Sequence, residues 1–166
     1  MLVLLLNPSW QPGVDERELM DPHLRLLYRA QLSGFAPFPW HLQCWSAVGA
    51  GRYWGPLLRE VAGETGPEAV ATRLATVQWA AYHSATWVSP VGAIPSQTYT
   101  VRVVRHALAR GALVIVARSW RKWLALVPEL AHTPVIRLHT PRRPYLTPGN
   151  MGQEGYQRLL AALEAR

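Results

Sequence analysis

An uninterrupted apolar run, Leu2-Val-Leu-Leu-Leu6, stops abruptly at Asn7-Pro8-Ser9-Trp10, and a second, Val135-Ile-Arg-Leu138, stops at His139-Thr-Pro141. Runs this apolar and this short read as strands buried on both faces of a parallel sheet, and the carboxyl ends of such strands border the ligand crevice. The pattern predicts strands over 2–6, 76–82, 112–117 and 135–138, ending at Asn7, His83-Ser84, Arg118 and His139. Between them the apolar spacing turns helical. Asp21-Pro22 is a cap and first-turn pair opening a stripe through Leu24, Leu27, Tyr28 and Leu32, with Gly34 as its stop. Helices are predicted over 53–61 and 67–74, interrupted at Gly63 and Gly66. A further helix over 96–110 is capped by Ser96 and buries Tyr99, Val103, Val104, Ala107 and Leu108, with Gly111 as its stop. The last two helices are placed over 119–127 and 153–164, and proline confines 35–40 to a rigid aromatic loop.

Strands alternating with helices mean an α/β fold. The expected architecture is a three-layer α/β/α sandwich on a central four-stranded parallel sheet, and 166 residues suffice for one such domain spanning 1–166. No apolar run reaches the roughly 18 residues that cross a bilayer. The opening run has no basic leader and is too short for a secretory signal, so a cytoplasmic protein without membrane attachment is expected.

Charge narrows the partner. Seventeen basic residues, sixteen of them arginine, against ten acidic ones give a net charge of +7, and no acid occurs between Glu68 and Glu129. Arginine binds phosphate as a bidentate fork, so a basic excess gathered in one half favours a polyanion such as DNA. The competing explanation is arginine on ordinary solvated faces. The single cysteine, Cys44, excludes an internal disulfide and a cysteine-held iron–sulfur cluster. The six histidines show no HExxH and no close ligand pair, so neither metal nor cofactor is expected. A monomer is the simplest state. GxxxxGK[ST], GxGxxG after the first strand and GxSxG are all absent, which argues against common kinases, dinucleotide enzymes and serine hydrolases.

Three segments carry a resemblance. Leu5-Leu-Asn7-Pro8-Ser9 is similar to the water-positioning motif of the uracil-DNA glycosylase superfamily in its Gly-Ile-Asn-Pro-Gly form. Residues 103–117 resemble the helix–glycine–strand unit before that family's final strand. Leu138-His139-Thr-Pro141, with Tyr145-Leu-Thr-Pro-Gly149-Asn150 and the helix behind it, resembles its His-Pro-Ser-Pro-Leu-Ser loop. Asn7 stands where the most active branches carry aspartate, and Arg142-Arg143 stand where the family has Ser-Pro.

The resemblance implies hydrolysis of the N-glycosidic bond of a flipped uracil or other deaminated or mismatched base in DNA repair. Asn7 would orient the water and His139 would donate to a base oxygen as charge develops. Phe38, from the aromatic loop it shares with Phe35, would stack on the base, and His83 and Ser84 occupy the place where the family reads the pyrimidine. Ser9 would meet a phosphate; Arg118, Arg142 and Arg143 would hold DNA, and Tyr145 or Leu146 would wedge into the vacated stack. Two alternatives stay open: a catalytically silent nucleic-acid-binding relative, and a nucleoside or nucleotide hydrolase using the same crevice.

Overall fold

The computed structural model describes residues 1–32, 49–92 and 94–165. Phe38 and the rest of the aromatic loop lie outside them. Four strands, β1 (Leu2–Leu5), β2 (Ala75–Gln78), β3 (Val114–Val116) and β4 (Ile136–Arg137), form one all-parallel sheet in the order β2-β1-β3-β4. Helices α1 (Asp15–Met20), α2 (Pro22–Leu32), α3 (Gly49–Thr65) and α4 (Pro67–Arg73) fall between β1 and β2. Helix α5 (Ser96–Ala109) precedes β3; α6 (Trp120–Leu126) and a 3-10 turn (Pro128–His132) precede β4; α7 (Pro148–Met151) and α8 (Gln153–Glu164) follow it.

The strands are apolar on both sides because each face of the sheet is covered. Alternate side chains point to opposite faces. Val3, Leu5, Ile115, Ala117, Ile136 and Leu138 pack against α3, α4 and α8 through Leu58, Val61, Val70, Tyr156, Leu159 and Leu163. Leu2, Leu4, Val114 and Val116 pack on the other face against Val104 of α5, Trp123 of α6, Val127 and Leu130. This is the expected α/β fold, with three layers. Trp123 is wholly enclosed, and its indole N–H donates to Leu5 O at 2.8 Å, so one side chain fills the second core and satisfies a carbonyl at the end of β1. Among the described residues no helix is long and apolar enough to cross a membrane.

The elements depart from their predicted limits for local reasons. β2 ends at Gln78 rather than 82, yet its chain stays beside the one leaving β1. Trp79 N donates to Leu5 O, Ala80 N to Leu6 O, Ser84 N to Pro8 O and Trp10 N to Ser84 O, at 2.8–3.2 Å, and Ser9 bridges Ser84 in parallel. Helix α3 runs through Gly63 and stops at Gly66, whose φ of +84° suits only glycine well. In α5, Tyr99 is 72% exposed, while Gln97, Thr100 and Val104 are buried. Thr100 Oγ1 donates to Gln78 O at 3.4 Å, so Thr100 rather than Tyr99 meets the end of β2. Ser96 does not cap it. Its hydroxyl is enclosed without a partner among the described residues, and Gln97 Oε1 takes the Ile94 N–H instead. Asp21 does cap α2: Oδ1 accepts the amides of His23 and Leu24 at 2.8 and 3.1 Å. Helix α1 was not expected.

Candidate functional site

The carboxyl ends of β1, β2 and β3 open into a cavity of about 180 Å³ lined by Leu5, Leu6, Asn7, Pro8, Ser9, Asp15, Glu18, Tyr53, Trp54, Gln78, His83 and Arg118. Its floor is the knitted stretch between the chains leaving β1 and β2. Asn7 Nδ2 donates to Ser84 Oγ at 2.7 Å and to Pro8 O at 3.0 Å. Both amide hydrogens are thereby used, the carboxamide is held in one orientation, and Oδ1 has no hydrogen-bond partner among the described residues. His83 Nδ1 lies 2.8 Å from Ser9 O, and because a carbonyl oxygen only accepts, Nδ1 carries the hydrogen of this contact. Trp10 meets the same ring edge-on, with centroids 6.1 Å apart.

Two further groups close the sides. Gln78, the last residue of β2, lines the cavity, and its Oε1 is enclosed without a partner among the described residues. Arg118 leaves β3 toward the cavity; Nη2 donates to Arg142 O at 3.3 Å, and Nε is enclosed without a partner among the described residues. Buried polar atoms are normally paired, and two of those without a partner among the described residues lie beside this one cavity. Tyr53 and Trp54, from α3, form an aromatic wall with ring centroids 5.3 Å apart and planes near perpendicular. Burial pushes the Tyr53 phenol up from its ordinary value, and the nearby Arg118 guanidinium partly offsets this. Asp15 and Glu18, on α1, also line it.

Asn7, Ser9, His83 and Arg118 thus come together around one cavity, with Ser84 as the brace of Asn7. His139, Arg142, Arg143 and Tyr145 do not join them. They are exposed on the loop after β4, where His139 Nδ1 lies 3.4 Å from Gly149 O. Asn150, only 7% exposed, shapes that loop. Its Oδ1 accepts Thr140 N at 2.6 Å, and its Nδ2 donates to Arg143 O and Tyr145 O at 2.9 and 3.0 Å. Leu146 cannot wedge into DNA, because it is 2% exposed within the first core and its amide donates to Leu57 O. Arg118 is the link between loop and cavity.

Gln78, Asp15, Glu18, Tyr53, Trp54 and Asn150 were not singled out by the sequence. A polar residue inside the otherwise apolar 76–82 run was the available signal for Gln78. For Asp15 and Glu18 it was their three-residue spacing after the Pro12-Gly13 turn. Compared with known proteins, the chain matches no family model, no curated protein and no solved structure.

Proposed function

We propose that this protein is a DNA-base glycosylase-like hydrolase that receives an extruded nucleobase in the cavity at the ends of β1, β2 and β3. One observation carries the reading: Asn7, Gln78 and Arg118, from three adjacent strand ends, line a single cavity walled by Tyr53 and Trp54. Amides beside a guanidinium suit the mixed donors and acceptors of a base edge, and aromatic side chains suit its faces. Bond cleavage makes an oxocarbenium-like sugar and an anionic base. Asn7 Oδ1 orients the water, and Arg118 meets the charge on the leaving base. The exposed Arg142 and Arg143, beside Tyr145, engage the phosphate backbone, and His139 stands at their end of the rim.

The exposure of His139, away from the cavity, favours a second reading: nucleic-acid binding without cleavage. One experiment separates the two. Purified protein is incubated with single- and double-stranded oligonucleotides carrying uracil, hypoxanthine, xanthine or a thymine mismatch; abasic sites are quantified, and binding is followed against salt. The hydrolase reading expects abasic product on at least one of them, and a loss of about 100-fold or more in Asn7→Ala. Steeply salt-dependent binding with no product selects the silent binder. Turnover of free deoxyuridine without DNA affinity points instead to a nucleoside hydrolase.

A further inference from the structure

Helix α5 sets its residues against hydropathy. Gln97 and Thr100 are buried, and Ser96 Oγ and Gln97 Nε2 are enclosed without a partner among the described residues, while the Tyr99 ring is 72% exposed. Core packing therefore makes little use of that ring. The first turn of α5 stands at the cavity end of the sheet, because Thr100 Oγ1 meets the carbonyl of Gln78, which lines the cavity. A second exposed tyrosine, Tyr82, directly precedes His83 of the same cavity. The chain leaving β2 is tied to α6: the Lys122 ammonium lies 5.1 and 5.7 Å from the ring centroids of Trp79 and Trp87 and donates to Ser89 Oγ at 2.6 Å. Arg102 follows Tyr99 by three residues, on the same face of α5, and is exposed. From Ala69 to Pro128 the chain carries seven basic residues and no acid. Glu129, which ends that interval, is bridged by Arg105 at 2.6 Å.

We propose that Tyr82, Tyr99 and Arg102 form a stacking surface for unpaired nucleotides of a DNA strand, running from the cavity rim onto α5. Every base has a π-face, so an exposed phenol ring holds one without regard to sequence. The guanidinium one helical turn away meets the phosphate between neighbouring nucleotides. Charge decides the occupant: a stretch with seven basic residues and no carboxylate suits a polyanion. Bases inside a duplex already have their faces covered, so this surface takes single strands and differs from the arginine pair after β4. It goes beyond base hydrolysis, because an undamaged strand is bound as well as a modified one.

Binding of a fluorescein-labelled, unmodified single strand and of its duplex is measured by anisotropy against salt. Wild type is compared with Tyr82→Ala, Tyr99→Ala, Tyr99→Phe and Arg102→Gln, each first matched to it in unfolding midpoint. Each alanine variant is expected to bind the single strand about fivefold or more weakly, with duplex affinity within about twofold of wild type. Tyr99→Phe, which keeps the ring, binds as wild type does, and Arg102→Gln lowers the salt slope by about one. Unchanged single-strand affinity in either alanine variant, an equal loss on the duplex, a Tyr99→Phe loss as large as that of Tyr99→Ala, or no single-strand binding by wild type overturns the proposal. So does sedimentation with phosphatidylserine vesicles that Tyr99→Ala abolishes while oligonucleotide binding persists; the exposed Val88 and Val91 would then belong to a lipid surface. None of these outcomes bears on abasic product from a modified oligonucleotide, which judges the hydrolase reading separately.

Discussion

Single side chains do two jobs at once in this protein. Trp123 fills a core and satisfies Leu5 O; Asn7 fixes its own orientation through Ser84 and Pro8. Tyr156 is a third case: buried in the first core, its hydroxyl donates to Glu64 Oε1 at 2.8 Å. Burial, followed by that carboxylate, raises the phenol well above its ordinary value of 10.0. The sign of the linkage follows. Below the unfolded value both states keep the phenolic proton and the stabilisation is complete. Above it the unfolded chain ionises first, binds fewer protons, and stability falls as pH rises. Tyr156→Phe is therefore expected to lose about 1–2 kcal/mol near neutrality, and to weaken less steeply than wild type between about pH 9.5 and 11. Urea unfolding at several pH values checks both; parallel curves for the two proteins would contradict the expectation.

At the scale of elements, one buried side chain gathers several backbone groups of the loop after β4. Asn150 gathers Thr140 N, Arg143 O and Tyr145 O, and its own carbonyl accepts the His139 amide at 2.9 Å. Asn150→Ala releases the three side-chain bonds at a cost of about 1–3 kcal/mol. Amide hydrogen exchange should accelerate at Thr140 and leave Ser84 and Trp10, held from the other side of the site, unchanged. Unaltered protection at Thr140 would show that the loop is held by something else. The same elements show what was readable in advance. Buried strands such as Val114–Val116 announce themselves because both faces are covered. Helix α1 did not, since none of its residues is buried and its start is fixed by carboxylates reaching back: Asp15 to Gln11 N and Glu16 to Gly13 N. The phase of α5 was also hidden, because it buries the polar Gln97 and Thr100 and exposes Tyr99, the reverse of what hydropathy predicts.

Over the whole molecule, four strand ends face one way, and the sheet order decides which of them meet. β1 lies between β2 and β3, so Asn7, Gln78 and Arg118 converge. β4 is the outer strand beyond β3, so His139 stands two strand spacings from β1, about 10 Å by sheet geometry. Apolar patterning marks where strands end but carries no record of their lateral order. That is why Asn7 and Arg118 were legible as strand-end residues while the separation of His139 from their cavity was not. The most direct measurement follows the side-chain NH₂ resonances of Asn7 and Gln78 by NMR during titration with a 2′-fluoro-2′-deoxyuridine oligonucleotide, against a matched thymidine control. If the cavity takes the base, both resonances shift with the fluorinated strand and not with the control. Shifts confined to the backbone of 139–145, with both carboxamides unmoved, would contradict it.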